Sequence, residues 1–361
     1  MKEPLNIISD SYKLDIVGGP NKVIVNTIKG LTKIGYPFEI NKDIRNFRYN
    51  WIHDSPEGLI EVGLCGIPAV IGPNIAVLPK DLPWFRPALT NCIYLYPSQW
   101  CIDLWKEIGF AECPMHPWPA GIDTEDFNVK RSAANSSDVM IYFKRRDPIL
   151  LNQAIATVKN MGLIPQVIRF GDYNEGQYKQ ILPKSKFGIW IGISESQGVG
   201  LQEALASGLP LIICDVNSLF ESSAKNDYTF PKKLRGFKPT SAPYFDERCG
   251  IIINDFSKLE ESINEMLTNL SYYNPREFVI ENLSLEKQAR ELLSFFDILD
   301  QRSRNFLITS TIGKDPGNFK SSFRGRIIYS IFIMRRKTKT VFRIIKKTFR
   351  KLTHLKKNKL Q

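Results

Sequence analysis

The fold is decided by one stretch of sequence, Ser194-Glu195-Ser196-Gln197-Gly198-Val199-Gly200-Leu201-Gln202-Glu203-Ala204-Leu205-Ala206-Ser207-Gly208, and by the apolar run at residues 187–193 before it. An apolar run of this length predicts a buried strand, and the glycines after it predict a turn into a helix. Glu195 then lies where the strand ends, and Glu203 lies in the first turn of the helix. A strand, a glycine turn and a helix in this order are typical of α/β folds.

A turn of this kind suits a sugar nucleotide. The first N–H groups of a helix have no partner within it and lie at the positive end of its dipole, and glycines let a diphosphate approach the backbone closely. Gly198, Val199 and Gly200 would make this contact. A carboxylate only accepts hydrogen bonds, so we expect Glu203 to bind the two hydroxyls of a ribose and Glu195 to bind sugar hydroxyls.

The same residues allow a plainer structural interpretation. Glu203 is a favourable acid for the first turn of a helix, Gly208 is a typical C-terminal cap, and Glu195 would then be a solvated loop residue. Glycine turns before helices are common in α/β folds, so this motif alone does not separate the two interpretations.

Three motifs together resemble glycosyltransferase family 4. The stretch quoted above matches that family's Glu-x7-Glu donor motif, followed by Ala-x-Ala-x-Gly-x-Pro ending at Pro210. Near the N-terminus, Gly18 and Gly19 precede a helical pattern and resemble the family's glycine loop, so both are candidate nucleotide-binding residues. Residues 119–127, Pro-Ala-Gly-Ile-Asp-Thr-Glu-Asp-Phe, resemble its hinge sequence.

The resemblance implies a GT-B fold, in which two Rossmann-like α/β domains face a cleft. It also implies a nucleotide-sugar donor as substrate, no cofactor and no metal. The sugar would be transferred with retention of its anomeric configuration, and a diphosphate oxygen would help to deprotonate the acceptor. Nothing in the residue spacing alone indicates retention.

Alternating strand and helix patterns predict the domain organisation. We expect an N-terminal Rossmann-like acceptor-side domain at residues 1–128, a polar linker at 129–137, a nucleotide-sugar domain at 138–280, a crossover helix region at 281–310 and a basic tail at 311–361. The predicted helices are 21–34, 56–64, 99–108, 149–161, 175–182, 256–269 and 285–299, besides the one that carries Glu203. The predicted strands are 51–53, 69–71, 93–95, 115–118, 139–143, 166–170, 187–193, 211–214 and 250–253.

Ligands of open α/β sheets bind beyond the carboxyl ends of the strands, which places His53, Gly171 and Glu195 at one cleft. The loop after Phe143 adds three consecutive cations, Lys144, Arg145 and Arg146. An arginine can hold a diphosphate through paired hydrogen bonds and offset the charge that grows on the leaving group.

Family 4 has a Gly-Arg pair and a later lysine in this loop. The later lysine is missing here, so the phosphate contact falls on Arg145 or a neighbour, and a surface charge cluster is the alternative. Glu195, Arg145 and His53 are the candidate catalytic residues. His53 could orient or deprotonate an acceptor hydroxyl, or it could be structural.

Composition supports a two-domain protein, with 361 residues of which 43% are hydrophobic. The six cysteines form no CxxC pair and no metal-like spacing with the three histidines, so we expect free thiols in a reducing cytosol. The N-terminus lacks the apolar core of a signal peptide, and the longest apolar run near the C-terminus, 327–334, is too short to span a bilayer. We therefore expect a cytoplasmic protein.

The net charge of +12 is concentrated in the C-terminal tail. Of the 49 Lys and Arg residues, 15 lie in residues 316–361, where Asp and Glu are absent, so the rest of the chain carries −3. Val341, Ile345, Phe349 and Leu352 form an apolar stripe at helical spacing among these cations. Residues 318–361 thus predict a basic amphipathic helix on an anionic membrane surface, at the inner face of the cytoplasmic membrane.

Two other interpretations of the tail stay open. It could bind nucleic acid, which is the weaker alternative because phosphate backbones make no use of an apolar stripe. It could also pack on the protein's own surface with its lysines in solvent.

These features together predict a glycosyltransferase that moves a sugar from a nucleotide sugar to a glycan or lipid-linked acceptor, in cell-surface polysaccharide synthesis. The alternatives are a sugar-nucleotide epimerase on the same fold, and a non-catalytic nucleic-acid-binding protein that acts through the tail.

Overall fold

The computed structural model describes residues 3–14, 18–78, 91–111, 113–128, 138–221 and 232–310. The predicted linker at 129–137 and the predicted tail helix lie outside these residues. Within them, no helix combines the length and the apolar character that crossing a bilayer requires.

Residues 5–117 form the first α/β unit, around a six-stranded parallel sheet with the order β2-β1-β3-β4-β5-β6. Its strands are β1 (Leu5–Ile8), β2 (Phe38–Ile40), β3 (Tyr49–Ile52), β4 (Ala69–Ile71), β5 (Cys92–Tyr96) and β6 (Met115–Pro117). Its helices are α1 (Asp10–Leu14), α2 (Gly19–Lys33), α3 (Pro56–Cys65) and α4 (Gln99–Glu107).

Residues 138–253 form the second unit, around a five-stranded parallel sheet with the order β11-β10-β9-β7-β8. Its strands are β7 (Asp138–Phe143), β8 (Ile164–Arg169), β9 (Ser185–Ile191), β10 (Leu211–Cys214) and β11 (Gly250–Ile253). Helices α5 (Pro148–Asn160), α6 (Glu175–Ile181) and α7 (Val199–Ala206) connect the strands, and α8 (Leu259–Thr268), α9 (Pro275–Leu283) and α10 (Leu285–Ser310) follow them.

The apolar runs become central strands because helices cover both faces of each sheet. β9 is buried along almost its whole length, and its side chains contribute to a separate hydrophobic core on each face of the second sheet. In the first unit, α2 begins with Pro20 in its first turn and packs Ile24 and Leu31 against the sheet.

Helix α10 returns from the second unit to the first. Its residues Leu292, Phe295, Phe296 and Leu299 are buried in the same core as Leu5 of β1. Gly30 of α2 allows the close approach of the two helices, because a Cβ there would lie 2.4 Å from the carbonyl oxygen of Leu285. This packing connects α10, which follows the second unit, to one face of the first sheet.

The expectation of an α/β protein built from two Rossmann-like domains is confirmed, and every predicted strand and helix within the described residues has a counterpart. Four of the labelled elements were not predicted by the sequence patterns, β1, β2, α1 and α9. One detail of the prediction was wrong: α7 begins at Val199, so Glu203 lies in its second turn rather than its first.

Candidate active site

The second sheet reverses its strand order between β7 and β9. Open α/β sheets bind ligands at such a switch point, in the crevice outside the carboxyl ends of the two strands. The loop after β7 carries Lys144, Arg145 and Arg146, and the loop after β9 carries Glu195. The predicted cationic loop and the first glutamate of the motif are therefore neighbours in space.

A cavity of about 300 Å³ opens at this point. The second unit contributes polar and charged walls that include Lys144, Arg145, Glu195 and Glu221. The first unit closes the opposite side with Val77, Leu78 and Trp100. The cavity therefore lies between the two units, and residues from both of them line it.

Lys144 and Glu195 form an ion pair in the wall of this cavity. The Lys144 Nζ lies 2.7 Å from Oε1 of Glu195, and the two side chains are 16% and 12% exposed. The same ammonium lies 4.6 Å from the centre of the Phe170 ring. A paired, mostly buried charge in a cavity differs from the solvated loop residue that the plainer interpretation assigned to Glu195.

Arg145 and Arg146 are adjacent in sequence but have different environments. Arg145 lines the cavity and has a backbone φ of 53°, in the left-handed region that side chains other than glycine seldom adopt. Strained backbone of this kind often marks a functional position.

Arg146 is buried, and its guanidinium is already engaged. It donates to the carbonyl oxygens of Gly192 at 3.0 Å and Cys214 at 3.3 Å, and it lies 2.8 Å from the carboxylate of Glu221. These contacts tie the ends of β9 and β10 together. Arg146 therefore differs from Lys144 and Arg145, whose charged groups both lie near the ring of Phe170.

The turn into α7 has the backbone that the motif requires. Gly198 is the N-cap, with φ 76° and ψ 44°, a conformation that glycine adopts without strain. Val199 and Gly200 form the first turn, whose free N–H groups can bind an anion. Behind this turn, the rings of Tyr142 and Trp190 stack with centroids 3.7 Å apart.

Glu203 points toward the first unit and is almost completely buried, with 5% of its side chain exposed. Its carboxylate pairs with the ammonium of Lys22 on α2, and Lys22 also lies 3.2 Å from Glu175 of α6. Burial raises the pKa of Glu203 to about 7, and the charge of Lys22 opposes this rise. The pKa of Lys22 is raised, because the two carboxylates outweigh the opposing effect of its burial. No sequence motif marks Lys22 for this role.

His53 follows β3 but does not line the cavity. Its imidazole is completely buried, and its Nε2 lies 3.0 Å from the carbonyl oxygen of Pro20 at the start of α2. Burial lowers the pKa of His53, so the ring is neutral at physiological pH. The imidazole therefore supports the N-terminus of α2.

The remaining candidate glycines are exposed. Gly18 and Gly19 begin α2, and a Cβ at either of them would have no atom within 4 Å. Gly171 follows β8 with a φ of 94°. None of the three lines the cavity beside Glu195.

Several hydrogen bonds hold the two units together around the cavity. The indole of Trp100 donates to the carbonyl oxygen of Glu195, the hydroxyl of Tyr244 donates to the carbonyl oxygen of Pro97 at 2.7 Å, and Gln197 donates to the carbonyl oxygen of Ala120 at 3.2 Å. No sequence pattern marks Tyr244 for this contact. These contacts form between segments that are far apart in the chain.

Two Rossmann-like domains on either side of one cleft define the GT-B fold, and comparison with solved structures supports this class. The chain is similar to sucrose-phosphate synthase from Thermosynechococcus elongatus, with a TM-score of 0.52 and 10% identity over 83% of this chain and 100% of the other. It is also similar to HepE from Anabaena, solved in complex with UDP, with a TM-score of 0.53 and 10% identity over 82% of this chain and 100% of the other. No protein-family model and no curated protein sequence matches the chain. The likeness at this identity is one of fold.

Proposed function

We propose that this chain is a glycosyltransferase of the family 4 type, which moves a sugar from a nucleotide-sugar donor to an acceptor hydroxyl. The observation that carries the proposal is the Lys144–Glu195 pair in the cavity at the β7/β9 switch point, next to the N-terminus of α7. A diphosphate and a sugar need cations and a carboxylate side by side, and the pair supplies both.

The diphosphate is assigned to Lys144, Arg145 and the backbone N–H groups of the turn at Gly198. An ammonium has three donors, so Lys144 can keep Glu195 and also bind a phosphate oxygen. Because the guanidinium of Arg146 is occupied by carbonyl oxygens and Glu221, we assign it the support of this loop rather than phosphate binding.

The donor's hydroxyl groups are assigned to the two glutamates. Glu195 accepts hydrogen bonds from the transferred sugar, and Glu203 accepts them from the ribose. Glu195 lies in the cavity wall and Glu203 lies further along α7, so the diphosphate between sugar and ribose would lie at the helix N-terminus.

In the reaction, the acceptor oxygen bonds to the anomeric carbon while the bond from that carbon to the diphosphate oxygen breaks. The departing diphosphate oxygen takes the acceptor's proton, on the same face of the sugar, so the anomeric configuration is retained. Lys144 and Arg145 stabilise the negative charge that grows on the diphosphate. His53 is buried away from the cavity, so we assign it to positioning α2 rather than to proton transfer.

We assign the acceptor to the glycan or lipid-linked precursors from which cell-surface polysaccharides are made. The basic amphipathic tail at 318–361 would hold the enzyme on an anionic membrane surface, where a lipid-linked glycan precursor is also confined to the plane. The proposal therefore includes a peripheral enzyme of polysaccharide synthesis at the cytoplasmic face of the membrane.

A ligand screen followed by a turnover assay tests the proposal. UDP, GDP and ADP sugars are screened for an increase in the melting temperature, since a ligand that binds the folded chain raises it. The donor that binds is then incubated with lipid-linked acceptors, and the anomeric configuration of the product is read by NMR. No stabilisation by any nucleotide sugar would overturn the proposal, and formation of a free epimer without an acceptor would select the epimerase alternative.

A further inference from the structure

Lys22 crosses from the first unit to the nucleotide site of the second. It lies in the first turn of α2, where its backbone N–H donates to the carbonyl oxygen of Gly18 at 3.0 Å. The imidazole of His53 contacts the carbonyl oxygen of Pro20, two residues before Lys22. The start of α2 is thereby fixed, and the side chain of Lys22 reaches over the ring of Phe127, 5.5 Å from its centre, to Glu203.

Glu203 has one cation in direct contact among the described residues, and that cation is Lys22. The other ionisable groups that influence it are Glu175 and Lys179 of α6, together with the phenols of Tyr173 and Tyr178. The phenols are neutral, and burial raises the pKa of each further. Glu175 opposes ionisation of Glu203, while Lys179 is itself paired with Asp126 and Glu175.

The pairing leaves hydrogen-bond acceptors of Glu203 unused. A carboxylate has about four lone-pair sites, and Lys22 contacts one oxygen of the group. Two hydroxyls of a ribose can therefore bind an ionised Glu203 that keeps its lysine. A protonated Glu203 would offer a donor in place of one of these acceptors, which does not match two neighbouring hydroxyl donors as well.

We propose that Lys22 is a positioning residue for nucleotide recognition, which favours the ionised form of the buried Glu203 and orients it as a hydrogen-bond acceptor for the ribose. The nucleotide site is thus completed by the opposite domain. This inference rests on the proposed function, because it assigns Glu203 to the ribose.

The test is the pH profile of nucleotide affinity in Lys22→Met and in the wild type. UDP, ADP and GDP are titrated calorimetrically, and the tightest binder is followed from pH 6 to pH 9. Since the pKa of Glu203 is about 7, a displacement of its titration by one pH unit in Lys22→Met would lower the ionised fraction at pH 7 from about one half to about one tenth and weaken binding about fivefold. Affinity is expected to recover toward that of the wild type at pH 9, and Lys22→Arg is expected to behave as the wild type.

Two control variants separate this effect from other causes. Lys29→Met removes another lysine of α2, which pairs with Asp123 at 2.8 Å, and is expected to leave the profile unchanged. The glutamine in Glu203→Gln cannot ionise. The pH dependence of nucleotide affinity in this variant therefore shows the titration of the nucleotide's own phosphates, without that of Glu203. The melting temperature of each variant confirms that it is folded.

The outcomes distinguish the two proposals. If Glu203→Gln weakens binding but the Lys22→Met profile coincides with that of the wild type, the role of Lys22 is wrong and the nucleotide site stands. If Lys22→Met binds more tightly, Lys22 competes with the ribose and the inference is likewise overturned. If Glu203→Gln binds as well as the wild type, or no nucleotide binds, the ribose assignment itself fails.

Discussion

The indole nitrogen of Trp100 donates a hydrogen bond to the backbone carbonyl of Glu195, over a distance of 2.9 Å. Trp100 belongs to α4 of the first unit, whereas Glu195 belongs to the loop after β9 in the second. The bond therefore fixes the loop of the candidate sugar-binding residue relative to the opposite wall of the cavity. A change in the separation of the two domains would break it.

Trp100→Phe tests this connection, because it keeps an aromatic ring and removes the donor. We expect the free energy of unfolding to fall by about 1 kcal/mol, because a hydrogen bond is lost. We expect the KM for the acceptor to rise, because the cavity wall opposite Glu195 is no longer held in position. Denaturant unfolding and steady-state kinetics measure the two effects. Trp118→Phe is the matched control. It also loses an indole hydrogen bond, which joins Trp118 to the carbonyl oxygen of Gln288 over 3.0 Å, and Trp118 does not line the cavity. An equal KM effect in both variants would contradict the assignment.

Glu195→Gln tests the sugar contact. The substitution keeps the shape of the side chain and removes its charge, so the transferred sugar loses an acceptor and Lys144 loses its partner. We expect the transfer rate to fall by about a hundredfold or more, with a much smaller change in the affinity for a nucleoside diphosphate that has no sugar. Turnover and calorimetry measure these quantities separately. An equal loss of both would indicate that the loop had been disrupted.

Arg145→Met and Arg146→Met are expected to have opposite profiles. Arg145→Met should lower turnover and nucleotide affinity and should cost less stability than Arg146→Met, because Arg145 lines the cavity whereas Arg146 is buried. Arg146→Met should cost about 2 kcal/mol or more, because it removes a buried guanidinium that donates to two carbonyl oxygens and pairs with Glu221. Chemical denaturation and nucleotide titration of both variants check the division. A stable, inactive Arg146→Met would reverse it.

Glu203 gives the protein a characteristic dependence of stability on pH. Its pKa is raised from 4.5 to about 7 in the folded chain, so between these values the folded state binds a proton that the unfolded state has lost. Its contribution is therefore fully present below pH 4.5 and is lost as the pH rises through 7, by up to about 3 kcal/mol. Glu203→Gln should remove this slope. The free energy of unfolding of both proteins is measured by denaturation at pH 5 to 8. The same slope with pH in the wild type and in Glu203→Gln would contradict this prediction.

Deletion of residues 318–361 tests the membrane proposal. The truncated chain should no longer sediment with vesicles that contain phosphatidylglycerol, whereas the full chain should bind them and ignore pure phosphatidylcholine, since each basic residue near the surface contributes about 1 kcal/mol. A full-length variant with Val341, Ile345 and Phe349 changed to serine keeps the charge and loses the apolar stripe. Unchanged binding of the truncated chain would end the idea, and tight binding to RNA in place of vesicles would favour the nucleic-acid alternative.

Local patterns predicted the second unit well, because its signals are long or chemically distinctive. The apolar runs of β7 and β9 are long enough to predict buried strands, and Gly198 marks the position of the turn that adopts a left-handed backbone. The short strands β1 and β2 were missed, although two strands of the same lengths, β3 and β4, were predicted. Glu203 was predicted in the first turn of α7. It lies in the second turn, because α7 begins directly after its N-cap, Gly198.

By itself, the sequence determined the strand-turn-helix at the donor motif, the alternation of strands and helices, and the run of three cations in the loop after β7. Side-chain partners from distant segments were decided by the tertiary structure alone. It separated the environment of Arg145 from that of Arg146, buried His53 beneath α2, and placed Lys22 rather than Lys29 against Glu203. Backbone propensity is a property of neighbouring residues, whereas burial and charge pairing depend on which remote segments the packed sheets bring together.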